Sequence, residues 1–296
     1  YKGKTETYYH QVPSSTTAVA LYACNNKRVT SNLLQEAGVV VPKGYRVKQS
    51  ASDEYKRSVY DGLQKPLVVK PSDGSQGDNI TINISDYKTY SQAIETAFAF
   101  GGKRSTTIIV EEMFPGEEYR ILATPEKVIG VLNRRPASVL GNGVDSIKKL
   151  IKYKNTYTVV SQIKNITTSH QKIRMDQKMK KKLAEQGLTF DSVPAEGERI
   201  FLRNVSNISQ GGDAIDFTDS VHPSVNEIAL KAIQAIPGLS FAGIDFLTTD
   251  ITKPQTKDTY VIIEINASPG FDIHDVPYEG KNRHAAREFL FMMFPE

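Results

Sequence analysis

Two apolar runs late in the chain, residues 241–248 (FAGIDFLT) and 260–267 (YVIIEINA), constrain the fold most. Each reads as a buried β-strand, and each carries polar groups where burial demands a partner. The intruders are Asp245 in the first run and Glu264 and Asn266 in the second. Side chains alternate across a strand, so Glu264 and Asn266 share a face, and a neighbouring strand carrying Asp245 would bring three oxygen donors together. Two carboxylates and an amide suit hard Mg²⁺ beside nucleotide phosphates, with Mn²⁺ as an alternative, rather than zinc. Singly, each residue is equally well explained as a turn cap or half of a salt bridge; it is the set that points to a metal.

A second cluster lies upstream. The β-rich run 66–71 (PLVVKP) places Lys70 just before the loop 73–77 (DGSQG). An ammonium suits phosphate oxygens, and Gly74 and Gly77, flanking Ser75, let backbone N–H groups approach an anion. The loop is not a Walker A sequence, and without the lysine it would read as an ordinary hairpin. Residues 106–112 (TTIIVEE) form a β-branched strand that ends in Glu111 and Glu112, bends at Pro115-Gly116 and resumes with Glu118. That pattern suits a hinge between lobes: the backbone from Glu112 to Phe114 can pair with an adenine edge, Met113 or Phe114 can cover its face, and Glu118 can accept from ribose hydroxyls. The plain alternative is an acidic turn with solvated carboxylates. Arg134 (VLNRRPA) and Arg203 (FLRNVSN) lie in or beside apolar strands, where a guanidinium needs an anion, either a ligand in a two-pronged contact or a structural ion pair.

Residues 27–37, 90–98 and 224–235 read as helices between these strands, and the polar, Lys-rich stretch up to Gly187 as helical and partly exposed, its KMKKK run (178–182) a solvated face. The expected class is α+β, in two lobes: residues 27–114 a small lobe and 115–296 a large one. Residues 1–26 read as a leader, the remnant of a preceding segment, because the chain starts at Tyr1 rather than Met. The 296 residues, 39% hydrophobic and 24% charged, suffice for two cores. A net charge of +4 suits anionic small molecules but is too dilute for nucleic acid. A single cysteine excludes an internal disulfide framework, and no stretch approaches the roughly 20 apolar residues of a membrane span, so a cytoplasmic location with no membrane partner is expected.

In this order along the chain, VVKP with its small-residue loop, VEEMFPGEEYR, LRNVSNISQGGDAID, GIDF and EINASPG resemble the ATP-grasp superfamily, from about Lys27 to the C-terminus. The chain is similar to the ATP-grasp modules of bacterial bifunctional glutamate–cysteine ligase/glutathione synthetase, through GLTFDSVPAEGERIFLR, SNISQGGDAIDFTD and DITKPQTKD, and to those of cyanophycin synthetase, through EINASPG. The resemblance implies an ATP-grasp fold, two α+β lobes with ATP held between them, the small one carrying a phosphate lid and the large one the metal and acyl-phosphate site. It implies that Lys27, which alone reads as a surface helix residue, joins Lys70 on the ATP phosphates. Glu111, Glu112, Met113 and Phe114 would then line the adenine hinge, Glu118 the ribose, and Asp245, Glu264 and Asn266 the metal. Arg120, Arg134 and Arg203 match positions around the phosphates or the activated carboxylate, and the loop 206–212 would border the substrate. The lid departs from the family in having fewer glycines and an acid, Asp78.

The activity so implied is an ATP-dependent carboxylate–amine ligase working through an acyl phosphate on small amino acid or peptide substrates, as a homo-oligomer or as part of a longer multidomain chain. Glutathione synthetase-like chemistry is the first expectation, with cyanophycin synthetase-like or other dipeptide ligation as its alternative. A kinase of the same fold and a non-catalytic nucleotide-binding module are the rival readings. Substrate choice is expected in residues 155–174 and 271–287, where His274, Lys281 and Arg283 are candidate contacts for a substrate carboxylate.

Overall fold

The computed structural model describes residues 3–72, 80–100, 106–159, 171–204, 206 and 208–295. A hairpin of β1 (Tyr8–Tyr9) and β2 (Val12–Pro13) leads into helices α1 (Ala18–Asn25) and α2 (Lys27–Glu36). Thr17 and Asn26 start these helices by accepting from the backbone N–H groups of Ala20 and Val29. The chain then alternates β3 (Gly44–Lys48), α3 (Asp53–Gly62), β4 (Leu67–Pro71), β5 (Thr81–Ile84), α4 (Tyr87–Phe100) and β6 (Thr107–Glu112). These strands form an antiparallel sheet in the order β3-β6-β4-β5. Its inward residues Val47, Leu67, Val69, Ile84 and Val110 bury against Val59 of α3 and Tyr90 and Ile94 of α4.

Beyond the turn at 113–116 come β7 (Glu117–Ala123), β8 (Val128–Arg135), β9 (Ser138–Leu140), α5 (Ile147–Val159), α6 (Gln177–Glu185), β10 (Arg199–Phe201), β11 (Asp213–Asp216), α7 (Pro223–Gln234), β12 (Ala242–Thr248), β13 (Tyr260–Asn266), α8 (Asp272–Asp275) and α9 (Ala285–Met293). Five of the strands make a second antiparallel sheet, β11-β8-β7-β12-β13. The two apolar runs singled out in the sequence are the neighbours β12 and β13.

One face of the larger sheet presents Tyr119, Ile121, Ile244 and Ile265 to α7 through Ala229 and Ile233, and to α1 and α2 through Ala20 and Leu34. Residues 18–36 therefore pack with the large sheet, whereas the sequence assigned residue 27 onward to the small lobe; an amphipathic helix announces an apolar face but not which sheet it meets. The large lobe is also subdivided. The pair β9-β10 packs on α5 and α6 around Val139, Ile151, Met179, Leu183 and Ile200, a core separate from that of the five-stranded sheet. Among the described residues no helix is long and apolar enough to cross a membrane.

Candidate active site

Cross-strand register assembles the polar row. Asp245 on β12 lies opposite Glu264 on β13 and opposite Arg120 on β7, and Gly243 lies opposite Asn266. Direct cross-strand partners share a face, so Arg120, Asp245 and Glu264 form a transverse row, with Asn266 two residues along from Glu264 on the same side. Next to the row, Phe246 pairs with Ile262, leaving Ile263 as an extra residue in β13. A bulge there bends the strand and re-aims side chains beside the row.

Each acid in the row is matched by a cation. Arg120 Nε donates to Asp245 Oδ1 at 2.6 Å, Arg134 Nη1 reaches the same oxygen at 3.2 Å and Glu118 Oε1 at 2.9 Å, and Lys27 Nζ lies 3.3 Å from Glu264 Oε1. On the small sheet Lys70 pairs with Glu111. Burial alone would raise the Asp245 carboxyl, but Arg120 and Arg134 beside it hold it below the ordinary carboxylate range. For Glu118 the balance tips the other way: burial, aided by the Asp245 charge and opposed by Arg134, pushes it up to about 7. Two glycines make the arrangement fit. A Cβ at Gly243 would lie 2.9 Å from Arg120 Nη1 and 2.7 Å from Pro269 Cβ, so the missing side chain is the space Arg120 occupies. At the interlobe turn, a Cβ at Gly116 would lie 2.5 Å from the Thr248 carbonyl oxygen.

Between the two sheets a cleft of about 560 Å³ is lined by Lys70, Met113, Phe114, Glu118, Arg134 and Arg203, together with Glu111 and Glu112 and with apolar walls from Val68, Leu247 and Ile263. The hinge is more committed internally than the sequence indicated. The N–H groups of Glu112 and Met113 donate to the carbonyls of Lys43 and Pro66, both at 2.9 Å. The Glu112 carboxylate accepts from the Gln64 N–H and pairs with Lys43 at 3.2 Å, so it holds the turn together. Arg203 is a cleft residue with structural duty: its two terminal nitrogens clasp Asp176 at 2.8 and 2.7 Å, and Asp176 also caps α6. The Arg203 Nε is buried without a partner. The lid residues Gly74, Ser75 and Gly77 lie outside the described residues.

Other expectations are corrected. His274 is fully buried beneath the large sheet, close enough to Gly130 that a Cβ there would sit 2.8 Å from its Nδ1, so it does not face a substrate. Burial, with the Arg120 charge, lowers its pKa to about 3. Arg283 donates to both oxygens of Asp216 and, at 2.8 Å, to Asp219, and Lys281 pairs with Asp219 at 2.7 Å. These residues fasten the C-terminal segment to β11 instead of awaiting a carboxylate. Lys182, read as part of a solvated face, instead lines the cleft with Gln186 and Phe201. Its only sequence signal was helical phase: Met179 and Leu183 point inward, which turns Lys182 toward one flank.

With this geometry in view, similarity to known proteins is informative. A family model for the ATP-grasp domain matches residues 24–171. This chain belongs to the ATP-grasp family. The glutathione biosynthesis bifunctional protein of Clostridium perfringens is 38% identical over 271 residues, covering 91% of this chain and 34% of the relative. Cyanophycin synthetase of Crocosphaera subtropica is 37% identical over 274 residues, covering 92% and 30%. The crystal structure of a bifunctional glutathione synthetase from Pasteurella multocida superposes with a TM-score of 0.74 at 31% identity, over 100% of this chain and 40% of that one. The chain thus spans about a third of the length of the curated relatives it matches. In this ATP-grasp chain the metal question rests on donor chemistry. Among the described residues no group of three or more His, Cys, Asp and Glu is gathered, and the oxygen donors on one face are two carboxylates in register and one amide, which fit a hard cation shared with phosphates.

Proposed function

We propose that this chain is an ATP-dependent carboxylate–amine ligase that forms an amide or peptide bond through an acyl phosphate and releases ADP and phosphate. The observation that carries the reading is the row Arg120–Asp245–Glu264 on adjacent strands, joined through Arg134 to a cleft that also holds Lys70. A carboxylate does not accept an amine because oxide is too poor a leaving group. In the first half-reaction the donor carboxylate oxygen attacks the γ-phosphorus and the bond to ADP breaks. In the second the amine attacks the acyl carbon, phosphate departs with the C–O bond pair, and the amine gives up a proton.

Both half-reactions call for fixed positive charge around the moving phosphoryl group. Lys70, Arg120 and Arg134 supply it from strands, which hold it without reorganisation. Asp245, Glu264 and Asn266 would hold Mg²⁺, which when bound neutralises developing charge on the phosphate oxygens. The apolar walls at Val68, Met113, Leu247 and Ile263 suit the adenine and limit water.

The substrates we propose are a small peptide or amino acid carboxylate and a small amino acid amine, γ-glutamylcysteine with glycine being the first pair to try. Its support is the similarity to the bifunctional glutathione proteins; similarity to cyanophycin synthetase makes other amino acid donors the second choice. The test is phosphate release by the purified chain across a grid of donors and amines, with mass spectrometry of the products. An amide-linked product with ADP and phosphate is the expected result. Product from another pair alone removes the glutathione reading and keeps the ligase; a stable phosphorylated alcohol would establish a kinase; ATP binding with no turnover for any pair would leave a nucleotide-binding module.

A further inference from the structure

Among the cations lining the cleft, three already hold an acid and two do not. Lys70 is paired with Glu111, Arg134 with Glu118 and Asp245, and Arg203 with Asp176, while Arg135 feels the Asp213 charge across from it on β11 but makes no direct ion pair among the described residues. The Lys182 ammonium has no ion pair or hydrogen bond among the described residues, yet it is half-buried and lines the cleft. Its neighbours on α6, Lys178, Lys180 and Lys181, are exposed.

The helix that presents it is held firmly at both ends. At the start, Asp176 caps α6 and is gripped by Arg203. At the end, Gln186 Nε2 donates to the Lys182 carbonyl at 2.9 Å and to the Phe201 carbonyl at 3.0 Å, tying the last turn to β10. Between them Met179 and Leu183 are buried in the α5–α6 core. The position of Lys182 is therefore set by packing, and only its flexible stem is free to adjust. Its place in the last helical turn also suits a cation, since the carbonyl end of the helix is electronegative. That accounts for tolerance of a lysine there but not for its direction into the cleft.

We propose that Lys182 is a nucleotide-binding residue, its ammonium meeting the polyphosphate from the wall built by α6 and β10 while Lys70 approaches from the small sheet. The inference rests on the reading of the cleft as an ATP site. Lys70, Arg134 and Arg203 exchange an existing partner when they meet phosphate; Lys182 gains one outright. A single charge-assisted contact to phosphate from a half-buried lysine corresponds to on the order of a tenfold change in affinity.

The test is calorimetric titration of the purified chain with ATP, ADP and adenosine, in wild type, Lys182→Gln, Lys182→Arg and the exposed control Lys180→Gln. The expected result is ATP binding about tenfold weaker in Lys182→Gln, largely recovered in Lys182→Arg, unchanged in Lys180→Gln, and no change in adenosine binding by any variant. Equal weakening for adenosine and ATP would make Lys182 a packing residue and overturn the proposal, as would ATP affinity unaltered in Lys182→Gln. A rise in KM for the acyl donor with nucleotide affinity untouched would move Lys182 to the donor and overturn it too. Wild type that binds no ATP removes the cleft reading itself, an outcome distinct from a wild type that binds and a variant that binds as well.

Discussion

Two arginine–aspartate knots on the large lobe use the same chemistry for opposite ends. In the first, Arg120 and Arg134 converge on Asp245; all three come from adjacent strands of one sheet, and the knot faces the interlobe region. In the second, the proportions are inverted: one arginine, Arg283, gathers Asp216 and Asp219, with Lys281 also on Asp219, joining the segment after α8 to the edge strand β11 and its following turn. The first joins elements that the sheet already holds together, so it adds little cohesion. A buried ion pair of this kind stabilises no better than apolar side chains of the same volume, so its retention asks for another reason, and catalysis is the one proposed. The second reinforces a junction that also has a parallel bridge between Ile215 and Glu279 and backbone hydrogen bonds from Asp216 and Tyr278, and it lies away from the cleft, so holding the segments is its whole purpose. Position relative to the cleft, not residue type, separates a reactive cluster from a fastener.

Asp245→Asn and Glu264→Gln bear on the first knot and its row. Each is expected to lower turnover by roughly 30- to 4,000-fold, corresponding to about 2–5 kcal/mol, in a protein that still folds. Wild-type-like phosphate release from either variant would remove the catalytic half of the contrast. For the fastener the pattern inverts. Arg283→Ala is expected to cost about 2–3 kcal/mol in urea unfolding, because two acids lose a shared donor, while the kcat of the folded fraction stays the same. A fall in kcat without loss of stability would return Arg283 to the substrate.

His274 feels a charge from each knot, Arg120 and Asp216, and makes stability depend on pH. Its folded pKa is depressed, to about 3, by burial and by Arg120. The unfolded chain therefore takes up a proton first on acidification, and the stability contributed by the neutral ring is full above about pH 6.5 and lost as pH falls from there toward 3. Between pH 7 and pH 5 wild type is expected to lose about 2 kcal/mol more than His274→Phe in urea titrations; parallel curves would refute it. The smallest effect concerns Glu118, raised to about 7 chiefly by burial. Its neutral form contributes stability at low pH that is lost as pH rises through about 7, while the ionised form is the better acceptor for ribose hydroxyls. ATP affinity is therefore expected to improve by about threefold from pH 6 to pH 8 in wild type and to stay flat in Glu118→Gln, as fluorescence titration would show.

The row of Asp245, Glu264 and Asn266 was readable in sequence because strand periodicity is rigid: a polar residue inside an apolar run has only two faces to choose from. Register with Arg120 was not, since pairing of β7 with β12 spans more than a hundred residues and no local pattern encodes it; that arginine was reached through resemblance alone. Lys281 and Arg283 were misassigned for the converse reason. A cluster of polar residues in a loop looks like a ligand contact until its partner is known, and Asp216 is 67 positions away from Arg283. Lys182 was hidden by its neighbours, as three exposed lysines make a fourth look like one more.

The pairing of opposite charges has an implication for loading order. Lys27, Lys70, Arg120 and Arg134 stand against Glu111, Glu118, Asp245 and Glu264, four cationic groups facing four acids, so with Glu118 ionised the core of the site is electroneutral. A divalent cation arriving alone would claim carboxylates and strand guanidinium and ammonium groups without counter-charge, and a polyanion arriving alone would strand the carboxylates. A cation and a polyanion delivered together can trade partners, as in a double displacement between salts, so that fewer groups lose their counter-charge. On the proposed function, such a site favours the complex of the two over either component, a preference written into its own internal salt pairs.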